Sequence, residues 1–275
     1  MQPASPVELV TALHGQFYVL RNDTFISRSM SLYGEWTESE FELLAPLLRA
    51  GDHAIDVGAN IGCMSVPMAR AVGPAGSVLA FEPQPGIFRL LAGNTLLNGL
   101  HNVRLFHAAC GAVSGELALA ELDFSTPENY GAFSLGHLAN GAAIKTSRRV
   151  GVVRLDDVVD VPALRLIKID VEGMEGEVVR GAAGIIRQHR PFLYVENEMP
   201  GANSVAAIEA ILALDYQIFW HFAAIFNPAN FRGNASNAFA TIACVNMLCT
   251  PLEVPVTCPL RRLASVTEHP RSGEW

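Results

Sequence analysis

Two acidic residues flank a glycine-rich turn in the first half of the chain. In the run AIDVGANIG, Asp56 lies two residues before Gly58, and the turn also contains Asn60 and Gly62. Such a turn between a strand and a helix brings bare backbone N–H groups and a helix N-terminus up to a ligand. Glu82 ends the next apolar run, where a carboxylate can accept both hydroxyls of a ribose. The pattern indicates a nucleoside cofactor.

Asp56 helps to distinguish between two nucleoside cofactors. A carboxylate this close to the turn would repel a pyrophosphate, but it suits a ligand with a cationic amino-acid end. S-adenosylmethionine carries an ammonium, a carboxylate and a sulfonium at that end. A dinucleotide fingerprint beginning at Gly58 would also need glycine at the positions of Asn60 and Cys63. The residues therefore favour S-adenosylmethionine over a nicotinamide dinucleotide.

A second acidic cluster follows a later apolar run. The stretch LIKIDVEGMEG delivers Asp170, Glu172 and Glu175 into a turn before a helix. Because ligands bind at the carboxyl ends of strands in an open α/β sheet, we expect these acids beside Asp56 and Glu82. Asp170 and Glu172 are the first candidates for a catalytic base or for binding an acceptor hydroxyl. Capping of the helix is the simpler interpretation of Glu175.

Two further sites are alternatives. His221, in the aromatic run FWHF, is a less favoured catalytic candidate, because a lone histidine on such a strand is more often packed and hydrogen-bonded. Asp170 ends one strand and Glu196-Asn197 ends the next, so three oxygen ligands could converge on Mg²⁺ or Ca²⁺. We do not favour this divalent metal, because Glu196 could equally hold a backbone amide or a substrate hydroxyl.

Apolar runs alternate with helical stretches after residue 51, which is typical of a parallel sheet with crossover helices. The predicted strands are 53–57, 77–82, 103–109, 166–171 and 192–196, with 216–221 and 240–248 as an antiparallel pair. Earlier, residues 16–30 predict a hairpin around Asn22-Asp23. Thr37 and Glu40 have the spacing of a capping box, which predicts a helix that ends near Gly51.

These elements predict three regions. Residues 1–50 form a hairpin and helix packed on the core, and residues 51–250 form the main domain. A β-rich insertion occupies 115–155, and the Pro-rich tail at 251–275 is irregular.

The bulk composition narrows the class of protein. Of the 275 residues, 50% are hydrophobic and 17% are charged, which favours one large folded α/β domain. The formal net charge is −8, whereas a nucleic-acid binder usually carries a basic footprint. We therefore expect a small-molecule or glycan acceptor, and no nucleic acid, as the partner.

Several features favour a cytoplasmic protein. The first residues, MQPASPVE, lack a basic start followed by an apolar run, so no secretory signal is expected. The apolar stretch at 208–226 is interrupted by Glu209, Asp215, Gln217 and His221, so we expect no membrane span. The five cysteines show no CxxC pair, which predicts free thiols in a reducing compartment.

The motifs together resemble those of a known family. IDVGANIG, AFEPQP, LIKIDVEGMEGEVVRGA and RPFLYVENE are similar, in this order, to successive motifs of the FkbM methyltransferases. The similarity runs over roughly residues 33–200, and Asn129-Tyr130-Gly131 also resembles a family element. The stretch FNPANFRGN, Asn237 and the NML around Asn246 are similar to a subset of members.

The resemblance implies an α/β, Rossmann-like class I methyltransferase fold, with a mostly parallel seven-stranded sheet and flanking helices. It implies S-adenosylmethionine-dependent O-methylation of a hydroxyl on a sugar or small metabolite, with the IDVEG stretch bordering the methyl-transfer site. The cofactor residues would be Asp56, Gly58, Asn60 and Gly62 at the methionine end, with Glu82 at the ribose and Pro83 beside it. The alternatives are a non-catalytic binding module on the same fold and a nicotinamide-dependent oxidoreductase.

Overall fold

A computed structural model describes residues 5–131 and 147–272 of the chain. Residues 132–146 of the predicted insertion, and the chain ends at 1–4 and 273–275, lie outside the described residues. The strands are β1 Val7–Ala12, β2 Gly15–Leu20, β3 His53–Val57, β4 Ser77–Phe81, β5 Val103–Phe106, β6 Ala109–Cys110, β7 Gly115–Ala120, β8 Ser147–Val153, β9 Leu166–Ile169, β10 Phe192–Glu196, β11 Tyr216–Ala224, β12 Ala243–Pro251 and β13 Arg261–Arg262. The helices are α1 Ile26–Tyr33, α2 Glu38–Leu44, α3 Ser65–Val72, α4 Pro85–Leu97, α5 Leu155–Val158, α6 Glu175–Gly181, α7 Ala183–His189 and α8 Ala202–Leu212.

Within the described residues, eight strands form the central sheet, in the order β13-β11-β12-β10-β9-β3-β4-β5. Strands β5, β4, β3, β9 and β10 pair in parallel, and β12 runs antiparallel to both β10 and β11. The register places Val57 beside both Phe81 and Ile169. The carboxyl ends of β3, β4 and β9 therefore meet at one edge of the sheet, where the acidic turns follow.

The predicted mostly parallel α/β sheet with flanking helices is confirmed, with one more strand than the seven expected. The added strand is β13, two residues of the tail that was predicted to be irregular. It pairs with the edge of β11, and Leu263 N–H donates to the carbonyl of Ile218. An edge strand leaves backbone groups unpaired, and the tail satisfies some of them.

Alternate residues of the central strands face two different cores. Ile55 shares one core with Val178 of α6 and Ile208 of α8. Its neighbour Ala54 faces the opposite core, which contains Met68 of α3. Burial on both faces explains why these strands are nearly continuous apolar runs, and hence why they were predictable.

The predicted hairpin around Asn22-Asp23 is wrong. The hairpin lies earlier, where β1 and β2 pair from Val7 with Leu20 to Ala12 with Gly15. Asp23 instead caps the start of α1, where its carboxylate accepts the backbone N–H of Ser27 at 2.7 Å. Aspartate is favoured in both settings, because its short side chain bonds nearby backbone amides in turns and at helix starts alike.

The predicted capping box is also wrong. Thr37 has a φ of 41° and makes no side-chain cap bond to α2, and Glu40 is buried. The α-helix ends at Leu44 and a 3₁₀ turn follows at Ala45–Leu47, because Pro46 cannot continue the α-helical hydrogen bonds.

The predicted strand at 103–109 is two strands. β5 ends at Phe106, and Ala109–Cys110 joins a separate three-stranded sheet with β8 and β7. In that sheet β7 and β8, which both lie within residues 115–155, pair antiparallel. Among the described residues, no helix has both the length and the apolar character needed to cross a bilayer.

Buried polar contacts join the N-terminal segment to the loop between β11 and β12. Glu35 is only 4% exposed, and its carboxylate accepts the Phe231 N–H at 2.8 Å and the Asn227 side-chain amide at 2.9 Å. The Tyr33 hydroxyl donates to the carbonyl of Ser236 at 2.8 Å. These contacts hold α1 and the loop together as one unit beside the sheet edge.

We expect Glu35→Ala to lower the free energy of unfolding by about 1–3 kcal/mol, because it leaves two donors without their charged acceptor. Glu42→Ala is the control, because Glu42 is exposed on α2, and its effect should stay within about 0.5 kcal/mol. Urea unfolding of the two variants measures both. Equal losses would contradict the proposed role of Glu35.

Candidate active site

A cavity of about 380 Å³ opens at the carboxyl ends of β3, β4, β9 and β10. Gly58, Asn60, Glu82 and Pro83 lie on its wall. The charged residues that line it, among those described, are Glu40, Glu82, Lys168, Asp170, Glu172, Glu196 and Glu198. The structure therefore brings the two acidic clusters of the sequence into one cavity.

The glycine-rich turn is packed tightly against the end of β9. Gly58 has a φ of 77°, and a Cβ atom there would lie 1.7 Å from the carbonyl oxygen of Asp170. The N–H groups of Gly58 and Ala59 both donate to the carbonyl of Phe81, at 3.0 and 2.9 Å. Only glycine fits position 58, and the turn is thereby fixed to both neighbouring strands.

Glu82 is buried at the end of β4 and is held by two backbone amides. Its carboxylate accepts the N–H of Asn60 at 3.0 Å and that of Gln84 at 2.7 Å. Burial raises the pKa of Glu82 to about 7, although these two hydrogen bonds act in the other direction. A carboxylate oxygen can accept more than one hydrogen bond, so Glu82 can still accept hydroxyl groups from a ligand in the cavity.

Asp56 does not line the cavity, which corrects the expectation that it meets the ligand directly. It is fully buried, and its carboxylate accepts the hydroxyl of Ser65 at 2.5 Å. The register places Asp56 beside Lys168 on the adjacent parallel strand, so both side chains lie on one face of the sheet. The Lys168 ammonium lies 3.7 Å from the Asp56 carboxylate, and burial raises the pKa of Asp56.

Gly62 does not line the cavity either. It has a φ of 95°, and a Cβ atom there would lie 3.0 Å from Leu91 of α4. Its part in the site is therefore packing of the turn against α4 rather than contact with a ligand.

Lys168 is the positive group of the site. Its ammonium donates to the carboxylate of Asp170 at 2.9 Å. Burial alone would lower the pKa of Lys168, but Asp170, Asp56 and Glu40 together raise it above its ordinary value. Lys168 is therefore charged at neutral pH.

Three carboxyl groups converge beside Lys168. The carboxylate oxygens of Asp170, Glu172 and Glu196 lie within 4.8 Å of one another. Burial, followed by the charge of Asp170, raises the pKa of Glu172 to about 8 and that of Glu196 well above its usual range. Glu172 and Glu196 therefore hold protons near neutral pH, and their carboxyl groups can both accept and donate hydrogen bonds.

Of the predicted metal ligands Asp170, Glu196 and Asn197, the structure does not place Asn197 with the other two. The Asn197 side-chain amide donates to the sulfur of Met247 on β12 at 3.3 Å and does not line the cavity. The Glu196 carboxylate joins the oxygen cluster, whereas the Asn197 side chain faces Met247. Glu172 takes the third place in the oxygen cluster.

Glu175 and His221 lie outside the cavity wall. The Glu175 carboxylate accepts the N–H of Gly173 at 2.9 Å, which agrees with a local role at the start of α6. His221 is buried, its Nδ1 lies 2.7 Å from the Tyr194 hydroxyl, and burial lowers its pKa. The structure places His221 in a packed hydrogen bond, so it is not a candidate catalytic group.

Glu40 is a site residue that the sequence did not reveal. It reaches the cavity from α2, and the Asn246 amide donates to its carboxylate at 3.3 Å. Burial raises the pKa of Glu40 to about 7, with Lys168 acting against the rise. Its spacing from Thr37 satisfies the capping-box pattern, so no local signal distinguished it from a helix cap.

We expect Gly58→Ala to cost about 1–3 kcal/mol more stability than Gly51→Ala, because the added carbon meets the Asp170 carbonyl. Gly51 is a matched control: its φ is 92°, and no described atom lies within 4 Å of a Cβ placed there. Both variants carry the backbone cost of a positive φ, about 1–2 kcal/mol. Urea unfolding gives the difference, and equal losses would show that the close approach at position 58 is unimportant.

The chain matches the methyltransferase FkbM domain over residues 56–218, which is more than half of its length. It belongs to the FkbM methyltransferase family. Over 143 residues it is 29% identical to methyltransferase 1 of Beauveria bassiana, covering 46% of this chain and 57% of that protein. Over 155 residues it is 29% identical to methyltransferase sdnD of Sordaria araneosa, covering 46% and 59%. The chain thus spans less than two thirds of the length of both relatives.

Solved structures agree on the fold. A SAM-dependent methyltransferase from Agrobacterium tumefaciens matches with a TM-score of 0.51 at 10% identity, covering 92% of this chain and 72% of that one. A SAM-dependent O-methyltransferase from Thermotoga maritima matches with a TM-score of 0.50 at 15% identity, covering 92% and 80%. At these identities the likeness shows the class I methyltransferase fold alone.

Proposed function

We propose that this FkbM-family protein transfers a methyl group from S-adenosylmethionine to a hydroxyl group of a sugar or small metabolite. The observation that carries the proposal is a single cavity with Glu82 and the Gly58 turn on one part of its wall and the Asp170 cluster on another. The first part suits a nucleoside. The second offers groups that can bind and deprotonate a hydroxyl.

The residues present fit S-adenosylmethionine better than a dinucleotide. Glu82 offers an acceptor for ribose hydroxyls, with Pro83 beside it, and Gly58 and Asn60 of the turn also line the cavity. A pyrophosphate would have to lie among carboxylates, and the one lysine on the described wall is already bonded to Asp170. The electrostatics therefore oppose a nicotinamide cofactor.

Asp170 is the proposed base. When bound, S-adenosylmethionine supplies a methyl group attached to a positively charged sulfur, and the sulfur becomes a neutral thioether when the methyl group is transferred. Lys168 holds one carboxylate oxygen of Asp170, and the Asp170 side chain stays 36% exposed, so it can accept the proton of an acceptor hydroxyl. Burial raises the pKa of Glu172 to about 8, so Glu172 can donate a hydrogen bond to the methyl acceptor or accept one from it.

A metal-assisted reaction is the variant of this proposal that the oxygen cluster suggests. Asp170, Glu172 and Glu196 form a donor set of hard oxygens, which suits Mg²⁺ or Ca²⁺. Lys168 already places a positive charge beside Asp170, so the proposal does not require a metal ion. Turnover measured with Mg²⁺ and with EDTA separates the two forms.

We propose a cytoplasmic location and a small-molecule or glycan acceptor. All five cysteines lie within the described residues and are free thiols, which suits a reducing compartment. The cavity has a volume of about 380 Å³, which is in the range of small-molecule sites, and its described charged residues are all acids except Lys168.

Isothermal calorimetry should show micromolar binding of S-adenosylhomocysteine and no binding of NAD. Glu82→Gln should weaken binding by about tenfold or more, because a charged hydrogen-bond acceptor is lost. The wild-type affinity should fall as the pH drops from about 8 to 6, because burial raises the pKa of Glu82 to about 7 and its protonated form accepts hydroxyls less well. Glu82→Gln should lose much of this dependence.

The control for Glu82→Gln is Glu116→Gln, because Glu116 is exposed on β7 and lies off the cavity wall. It should bind like the wild type. Absence of S-adenosylhomocysteine binding by the wild-type protein would overturn the proposed function.

Asp170→Asn should lower kcat by about 100-fold or more for every acceptor that the wild type methylates, because the base is lost. Labelled methyl transfer to a panel of sugars and small alcohols measures this, with exposed Asp160→Asn as the control. Unchanged turnover in Asp170→Asn would rule out this base. Cofactor binding without turnover on any acceptor would favour the non-catalytic alternative.

A further inference from the structure

One part of the cavity wall is built by segments outside the family match. Phe25, Trp36 and Glu40 come from the N-terminal segment. Ile225 directly follows β11, and Cys244 lies at the start of β12. All five residues lie outside 56–218, the range that the family domain matches. This part of the wall is therefore separate in sequence from the glycine-rich turn and Glu82, and it is available to an acceptor when the cofactor lies at those residues.

Acidic groups surround Cys244 at this wall. Burial raises the pKa of the Cys244 thiol well above its usual range, and Glu40, Glu196 and Asp170 raise it further. Glu198 also lines the cavity, and its carboxylate accepts the Val245 N–H at 2.9 Å. Carboxyl groups from α2 and from the ends of β9 and β10 thus line the same cavity as Cys244.

Positive charge is scarce at this end of the cavity. Among the described residues, Lys168 is the one lysine or arginine on the cavity wall, and its ammonium is bonded to Asp170. An anionic acceptor would meet Glu40, Glu196 and Glu198 with no free cation to receive it. A cation, in contrast, would favour the ionised form of these carboxyl groups and would gain a favourable interaction with each group that ionises.

Aromatic and aliphatic side chains complete the wall. Phe25, Trp36 and Ile225 share one hydrophobic cluster, and all three line the cavity. Ile225 N–H donates to the carbonyl of Ile242 at 3.2 Å, which places the apolar cluster directly beside the strand that carries Cys244. An acceptor here meets an apolar face on one side and carboxyl groups on the other.

We propose that this end of the cavity selects an amino alcohol, an acceptor that carries an ammonium group near its hydroxyl and presents an apolar ring or chain to Trp36. Glu40 and Trp36 are then specificity-determining residues: Glu40 favours the ammonium, and Trp36 packs against the apolar face. A cation is attracted both to the face of an aromatic ring and to a carboxylate. The inference rests on the proposed function, since the cavity must first hold the cofactor.

Three cyclohexane compounds test the charge preference on one ring. They are trans-2-aminocyclohexanol, cyclohexanol and cyclohexanecarboxylate, titrated by NMR into the full chain loaded with S-adenosylhomocysteine. The aminoalcohol should bind at least about tenfold more tightly than the carboxylate, with cyclohexanol between them. Equal or tighter binding of the carboxylate would overturn the proposal.

Glu40→Gln should reduce the preference for the aminoalcohol over cyclohexanol by about three- to tenfold, because one carboxylate is lost. Glu42→Gln, on the exposed side of the same helix, should leave the preference unchanged. Trp36→Leu is a second variant, and it should weaken the binding of the aminoalcohol and of cyclohexanol by a similar factor. An unchanged preference in folded Glu40→Gln, judged by its melting temperature, would overturn the proposed role of Glu40.

Two further outcomes separate this inference from its premise. Binding of S-adenosylhomocysteine without any preference for the ammonium compound would defeat the inference and leave the proposed function intact. No binding of S-adenosylhomocysteine would defeat the proposed function itself. A third outcome would also overturn the inference: millimolar Mg²⁺ displaces the aminoalcohol, and turnover requires Mg²⁺. The cation that the carboxyl groups bind would then be a metal ion rather than the ammonium of the acceptor.

Discussion

The buried ammonium of Lys168 lies between two carboxylates at the ends of adjacent parallel strands. It donates to Asp170 at 2.9 Å and lies 3.7 Å from Asp56, with 8% of the side chain exposed. Asp56 in turn accepts the hydroxyl of Ser65 at the start of α3. Because removing one partner from a buried ion pair costs about 3–5 kcal/mol, this arrangement fixes the glycine turn relative to the acidic cluster.

The pleat of the strands decides which acids reach the cavity. Asp56 and Lys168 are register neighbours, so Asp56 turns to the lysine and lies beneath the cavity rather than on its wall. Glu82, just past the end of β4, is free of this constraint and turns back to the amides of the glycine turn. The site thus divides into a buried acid beneath the cavity, an acid held at the glycine turn and a group of acids beside Lys168.

The parts of the site that depend on local order were predictable from the sequence. Apolar runs on both sides of the turn defined the strands, and parallel pairing then required Glu82 and Asp170 to meet at one edge. Contacts between distant segments were not predictable. Glu40 carries the spacing of a capping box yet faces the cavity, and Asp23 caps a helix where a hairpin turn was expected. Short polar motifs have more than one use, and tertiary packing selects among them.

The central claim is that one cavity holds the nucleoside at Glu82 and leaves the acceptor among the carboxyl groups beside Lys168. A crystal structure of the protein with S-adenosylhomocysteine tests it most directly. The account predicts ribose hydroxyls within hydrogen-bond distance of the Glu82 carboxylate and the sulfur facing Asp170. A ribose bound away from Glu82, or a sulfur that faces away from the Asp170 cluster, would contradict it.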